Sequence, residues 1–369
     1  MWGRIRALIV KEFLAVWKDK KSRAVIIGPP LIQLMVFGYA ATFDVNHVAT
    51  AVLNKDMGRA ARDLIARFEG SPTFDIVAHL RREADIATVI DPRKAALVIH
   101  IGQTFSRDLA AGRPAPVQLV LDGRSSNTAL IILGYASRVI DAFNRERIAA
   151  TGAPEPPASL VVRAWYNPNL ESRWYIVPGI VALLTLVVTV VVTALSVARE
   201  REVGTFDQLL VTPLRPFEIL VGKSVPPLVI GLAEGTLIVA VAIAWFGVPF
   251  RGDMGLLYAG LTLYILAVIG VGLMVSSLAR TQQQAILGAF LFVVPTIILS
   301  GFATPIANMP EAVQTLTLIN PMRYFLVIVR GSFLEAIAPD LVYARLWPMA
   351  VIALVTLSFA AWLFRHRLG

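Results

Sequence analysis

Five stretches of the chain lack any Asp, Glu, Lys or Arg: 24–43, 174–198, 254–279, 281–310 and 346–364. Each is long enough to cross a bilayer core as a helix, which takes about 20 residues at ~1.5 Å rise per residue. A sixth, 224–250, is interrupted only by Glu234. The pattern predicts an α-helical polytopic membrane protein with six transmembrane helices, at 24–43, 174–198, 224–250, 254–278, 286–303 and 345–364. Between the first two spans the chain changes character. Short β-rich runs at 48–53, 74–78, 95–101 and 117–121 alternate with helical stretches near 58–69, 82–90, 103–111 and 125–149. Residues 44–173 are therefore expected to form an inserted mixed α/β domain, large enough for its own core. A Gly/Pro-rich linker at 152–157 leads back to the membrane.

Composition agrees: 56% of the 369 residues are hydrophobic, 16% are charged and mean hydropathy is +0.68. The net charge of +9 could point to nucleic acid, but its distribution argues for topology instead. Segment 44–173 holds 16 basic and 14 acidic residues, so most of the excess sits in short segments flanking the spans. With the amino end inside, fourteen Lys and Arg flank the spans on the inner side, against Arg251, Arg323, Arg330 and Arg345 on the outer side. The positive-inside rule then places both termini in the cytoplasm, including the tail 365–369, and the inserted domain outside. Anionic membrane lipids are the expected partners of this basicity, and nucleic acid is not. The absence of cysteine excludes disulfides, thiolate metal sites and cysteine nucleophiles. His47, His79, His100 and His366 are too scattered to form a metal site.

Residues 1–23 precede the first span. Trp2, Ile5, Ile9, Phe13 and Val16 recur at helical spacing, while Arg4, Lys11 and Lys18 lie seven apart on another face. An amphipathic helix on the inner membrane surface fits, with a simple basic anchor as the alternative. Ala40 and Ala41 could pass for a signal-peptide cleavage site. The run before them exceeds the ~7–15 residues of a secretory core, which favours a retained span.

The inner segment 199–223 carries a charged, capped island, EREVGTFDQLLVTP, at 200–213. Gly204 suits the end of the second span, and Thr205 with Gln208 matches a capping box opening a short helix that Pro213 closes. Phe206, Leu209 and Leu210 then share one face, an apolar patch that needs a covering partner or its own bundle or lipid headgroups. Pro216-Phe217-Glu218 restarts the chain toward the third span. Gly222-Lys223-Ser224 looks like the end of a phosphate-binding loop, but Phe217 stands where that loop needs its first glycine. An ATP site in this chain is thereby excluded.

Within the membrane, Glu234 lies between Gly231 and Gly235. A carboxylate there costs at least about 2.5–3.5 kcal/mol to insert. Either it contacts substrate or protons in a pathway, or it makes a hydrogen bond at a close helix crossing. The outer segment 304–344 has helix starts at Asn308-Met309-Pro310 and Asn320-Pro321, with breaks at Gly301 and Pro305. Two re-entrant or interfacial helices are expected, with Met322, Phe325, Leu326, Val329 and Phe333 dipping into the bilayer.

The run EREVGTFDQLLVTPLRPFEILVGK at 200–223 resembles the inner-side signature of ABC-2 type transporter permeases, the membrane subunits of bacterial ABC exporters. WYNPNLESRWYIVPG (165–179), LARTQQQA (278–285), LSGFATPIANMP (299–310), INPMRYF (319–325) and the outside stretch at 95–123 resemble its drug-efflux-like branch, which has a large periplasmic domain. Asp207 departs mildly from the family's usual Glu. The resemblance implies a non-catalytic multidrug-efflux subunit of the inner membrane, without a cofactor of its own. ATP and Mg would be bound by cytoplasmic ABC ATPase subunits, and the permease would pair with a second copy or a related permease. A periplasmic adaptor protein is a further implied partner. By the same resemblance, Glu200, Arg201, Glu202, Gly204, Thr205, Phe206, Gln208, Leu209 and Leu210 would form the ATPase-coupling segment, with the amino-terminal amphipathic helix and residues Arg280 to Gln284 of the cytoplasmic loop 279–285 as secondary contacts. Gly301, Pro305, Pro321 and Arg323 would belong to an outer gate, and the substrate would be amphipathic, drug-like or lipid-like. Two alternatives stay open: a proton- or ion-coupled transporter or channel using Glu234, and a membrane-anchored receptor.

Overall fold

A computed structural model describes residues 2–18, 20–40, 47–151, 165–168, 171–205 and 215–367. The chain divides into two compact units, 1–42 with 164–369, and 43–163. Helix α1 (Trp2–Lys18) leads into α2 (Lys20–Ala40), which carries Pro29 and Pro30 and stands at the first predicted span.

In the inserted unit the elements alternate as β1 (Val48–Asn54), α3 (Arg59–Glu69), β2 (Phe74–Leu80), α4 (Asp85–Ile90), β3 (Leu97–Ile101), α5 (Phe105–Ala110), β4 (Val117–Leu121) and α6 (Ser126–Thr151). All four predicted strands and helices are present, with boundaries shifted by a few residues. The sheet order is β2-β1-β3-β4, parallel except for the antiparallel β3–β4 pair. One crossover leaves β1 for β2, and the next passes back over β1 to β3. Right-handed connections therefore put α3 and α4 on opposite faces of the sheet. Two cores result. Val52, Leu64, Phe68, Leu97, Ile99 and Phe143 fill one face, and Ala51, Leu53, Val89 and Val98 fill the other. The central strand β1 is buried on both faces, which is why it reads as a nearly continuous apolar run.

The membrane unit resumes with α7 (Ser172–Val203), α8 (Pro216–Ala244), α9 (Met254–Leu278) and α10 (Gln282–Ile298). It ends with α11 (Glu311–Leu316), α12 (Pro321–Leu334) and α13 (Pro339–Arg367). Helices α7, α8, α9 and α13 are each long and apolar enough to cross a membrane. Residues Glu311–Ile319 and α12 form a pair bent by 83° that makes a fifth candidate if taken together. The chain is thus a polytopic helical membrane protein. α7 is predominantly apolar, apart from a narrow line of threonines and Ser196, and is buried along most of its length, packed by α2, α8, α9, α10 and α12. The outer faces of α10 and α13 expose Leu287, Phe290, Leu291, Leu354 and Trp362, as lipid-facing helices do.

The outer segment differs from expectation in one respect. Helices start at Glu311 and Pro321 as predicted, and the Asn320 side chain caps the second by accepting from Met322 N at 3.0 Å. The apolar face of α12, however, does not dip into lipid. Met322, Phe325, Leu326, Val329 and Phe333 are buried in protein, with Phe325 stacked on Tyr264 at 4.7 Å between centroids. The reason is the contact of α12 with α7 and α9, which offers a preformed apolar surface to the same stripe.

Candidate functional site

Gly204 ends α7 in the left-handed conformation, φ 75°, which a side chain would strain. The amide of Gly204 donates to Arg201 O (3.1 Å) and that of Thr205 to Glu200 O (2.9 Å), the paired bonds of a Schellman stop. The Thr205 hydroxyl donates to Glu200 O as well, at 3.4 Å. Phe206, Gln208, Leu209 and Leu210, together with Pro213, lie outside the described residues. The chain is described again from Arg215, whose amide donates to Glu218 Oε2 at 2.8 Å and so opens α8 behind Pro216.

The charged residues of the island turn toward their own chain. Arg201 Nη1 donates to the carbonyls of Ser277 (2.7 Å) and Ala279 (3.2 Å), the free acceptors at the end of α9. Glu202 Oε2 accepts from Gln282 N at 2.7 Å, capping the start of α10. Glu200 is buried and ion-paired with Lys11 Nζ (2.5 Å) and Lys223 Nζ (2.8 Å).

Lys223 is the centre of this cluster. Its side chain is wholly buried, and Nζ also donates to Glu12 Oε1 (2.9 Å) and Ser196 Oγ (3.3 Å). Ser196 Oγ in turn donates to Glu12 Oε2 at 3.1 Å. One step along α8, a Cβ on Gly222 would fall 2.3 Å from Leu8 Cδ2, so glycine is what lets α1 lie against α8. Arg4 adds a looser ion pair to Glu218 at 3.9 Å. Six charges from α1, α7 and α8 are therefore knotted at the end of the bundle where α7 gives way to α8.

Sequence reasoning missed Glu12 and considered Lys223 only as a topology charge and as the lysine of a rejected phosphate-binding loop. The available signal was that Glu12 is the sole acid of α1 and lies in helical register with Ile5 and Leu8, the other two buried residues of that helix. The packed edge is Ile5, Leu8 and Glu12, which shares Ile5 with the apolar stripe expected through Trp2, Ile5, Ile9, Phe13 and Val16 but is rotated by roughly 70° from its centre, at ~100° per residue. Trp2 is accordingly 79% exposed.

Deeper along α8, Glu234 is buried with neither carboxylate oxygen partnered among the described residues. The close crossing expected at its flanking glycines is present. Gly231 abuts Thr189 and Ile265, and Gly235 abuts Leu261 and Thr185. The hydroxyls of Thr185 and Thr189 are buried and unpartnered too. At the opposite end of the bundle from the charge cluster, Gly301 adopts φ 87° and Pro305 precedes a 3-10 turn at Ile306–Asn308. Pro321 is the first residue of α12, and Arg323 Nη1 donates to Thr317 Oγ1 and to Gln314 O (3.3 Å). Those sequence candidates that are described fall in three separate places: the two ends of the connector, Glu234, and the 301–323 region.

A bundle of helices long and apolar enough to cross a membrane, with a buried central helix and an inserted α/β unit, defines a polytopic membrane protein. The sequence comparisons specify it further. The family described as ABC-2 family transporter protein matches residues 23–364, and the chain belongs to it. It is 41% identical over 368 residues to the "Probable multidrug ABC transporter permease YbhR" of Escherichia coli (strain K12), covering 100% of both chains. It is 33% identical to "Probable multidrug ABC transporter permease YbhS" of the same organism, over 92% of this chain and 90% of the relative. A more distant relative, "Inner membrane transport permease YhhJ", also of Escherichia coli (strain K12), is 26% identical over 98% and 96% of the two chains.

Proposed function

We propose that this chain is the permease subunit of an ATP-driven ABC-2 exporter that moves an amphipathic, drug-like or lipid-like compound out across the bacterial inner membrane. The names of its relatives, probable multidrug ABC transporter permeases, support the substrate class. Cytoplasmic ABC ATPase subunits bind ATP and Mg, this chain contributes no catalytic residue, and a second copy or a related permease completes the pathway. On this reading there are six spans, formed by α2, α7, α8, α9, α10 and α13, with both termini inside. The α/β unit then lies in the periplasm, where an adaptor protein could dock on it.

The observation that carries the reading is the Glu12–Lys223–Glu200 cluster. It ties both helices that flank residues 206–214, and the amphipathic α1, into one block. An ATPase gripping that connector through Phe206, Leu209 and Leu210 would therefore move three helices at once. Glu200, Arg201 and Glu202 serve that block from within, since each is engaged by its own chain.

Co-reconstitution with the ATPase in liposomes tests this. Phe206→Asp and Leu209→Asp should abolish ATPase association and export while leaving the chain folded. A second reading, a proton-coupled transporter, is favoured by the unpartnered buried Glu234. Export that persists without ATPase, follows a proton gradient and disappears in Glu234→Gln would replace the first reading by the second.

A further inference from the structure

A cavity of about 280 Å³ opens among Ser300, Gly301, Ile306, Arg323, Val327, Arg330 and Arg345, in the part of the membrane unit remote from the connector. It is far larger than the ~30 Å³ share of one water molecule. Three arginines line it, and among the described residues no carboxylate pairs with any of them.

Arg330 is the most constrained of the three. Its guanidinium lies 3.8 Å from the ring centroid of Tyr175 and 5.8 Å from that of Phe302. Nη1 reaches Gly301 O only at 3.5 Å, and among the described residues no geometric hydrogen-bond partner meets buried Nε or Nη2, the Tyr175 side chain lying nearby. Arg323 keeps one nitrogen on Thr317 and Gln314. Arg323, Val327 and Arg330 recur at i, i+4 and i+7, so one face of α12 points them at the same space, with Arg345 closing it from α13.

Donors in this state are costly. A buried guanidinium with unmet N–H groups and no counter-charge is unfavourable in an apolar surrounding, and aromatic faces offset that only in part. Arginine forks match the oxygens of a phosphoryl anion, and a room lined by three of them with no acid present suits such a group rather than a cation or a neutral ligand.

We propose that this cavity is a binding site for a phosphoryl anion, held by Arg323, Arg330 and Arg345. The chemistry is shared by the phosphodiester of an anionic phospholipid and by free phosphate. The proposal does not depend on what drives the protein.

The native chain has no cysteine, so Val327→Cys places a single thiol at the cavity wall. The full-length variant is held in phosphatidylcholine nanodiscs and labelled with neutral N-ethylmaleimide in three ways: alone, with phosphatidylglycerol added to the disc, and with inorganic phosphate in the buffer. An anion at ten times its Kd slows labelling about tenfold. Slowing by phosphatidylglycerol alone identifies a lipid headgroup, and slowing by phosphate identifies a free anion. Either supports the site, provided that Arg330→Gln or Arg345→Gln restores the rate and that Ile319→Cys, 69% exposed and outside the cavity, is unaffected. Equal rates in all three conditions, an equal effect at Ile319→Cys, or slowing that survives both arginine substitutions would overturn the proposal. The first two of these readings keep every arginine in place, so a misfolded arginine variant cannot hide the answer.

Discussion

Replacing Lys223 by Met should release α1 from the bundle. Nζ lies 2.9 Å from Glu12 and 2.8 Å from Glu200, and at an effective dielectric of ~20 each contact represents a gross Coulomb energy of about 6 kcal/mol. Most of that is offset by the desolvation of three buried charges, so the gross figure is not the loss. Removing one partner of a buried pair costs about 3–5 kcal/mol, because the remaining charge stays in low dielectric unpaired. Glu200 keeps the half-exposed Lys11, and Glu12 keeps the Ser196 hydroxyl, which places this case near the lower bound. A cost of ~3 kcal/mol corresponds to about a hundredfold change in equilibrium. The strain is relieved if α1 lifts away and hydrates Glu12, so the change should fall on the docking of α1. In the cysteine-free chain, Ile5→Cys reports that docking directly, since Ile5 is 4% exposed. Its maleimide reactivity should rise by up to about two orders of magnitude when Lys223→Met is added. Adding Glu12→Gln and Glu200→Gln to Lys223→Met should largely restore protection, because no buried ion is then left unpaired and the half-exposed Lys11 stays hydrated. A rate unchanged by Lys223→Met, or a triple variant as reactive as the single one, would refute the reasoning.

Gly222→Val should undock the same helix by a different cause, overpacking against Leu8 at about 1–3 kcal/mol, and Leu8→Ala should rescue it; a double-mutant cycle of melting midpoints measures the coupling. Arg201→Gln should destabilise the purified chain by about 2 kcal/mol with no ATPase present, through the loss of its bonds to Ser277 and Ala279. A variant that loses only complex formation, at unchanged stability, would return Arg201 to the ATPase interface. In the α/β unit, hydrogen bonds from Arg124 hold the Asp122 carboxyl down at about 2, against an ordinary 3.8. Because the folded value is the lower one, the stabilisation is complete above about pH 3.8 and drains away as pH falls toward 2. Pepsin cleavage of the full chain between those values should accelerate more steeply for the native residue than for Asp122→Asn.

The α/β unit was legible nearly element by element, because its strands are short apolar runs set off by turns and its α3 has a clear one-sided apolar face. Gly204 and Pro216 were legible for a similar reason: the left-handed stop and the helix start are local chemistry, readable without knowing what packs nearby. What lay beyond reach was pairing across sequence separations of about 200 residues. Lys223 with Glu12 joins residues 211 apart, and Lys11 with Glu200 residues 189 apart. Neither helix alone says that its charge will be buried. The misplacement of Met322 and Phe325 has the same origin. A hydropathy pattern separates apolar from polar surroundings, but lipid and the flank of α9 are equally apolar, and only tertiary contact distinguishes them.

The polar side chains of α7 show where such long-range pairing matters for movement. Thr185, Thr189, Thr193, Ser196 and Glu200 fall within about 80° of one another around the helix, at ~100° per residue. That face meets α8 and α9, with Gly231 against Thr189 and Gly272 against Thr193. At the connector end its charges are paired, and separating α7 from α8 there would strand buried ions. Eleven residues along α8, at the level of Glu234, lie a carboxylate and two hydroxyls that have no partner among the described residues, so alternative pairings there sacrifice no bond seen in the structure. A force entering through residues 206–214 therefore meets a stiff joint first and a compliant one about 16 Å deeper, at 1.5 Å per residue. On the permease reading, this places the rearrangement between α7 and α8 at the level of Glu234 rather than at the connector. Cross-linking α7 to α8 should accordingly arrest transport when placed near Thr185 and leave it intact when placed near Ser196.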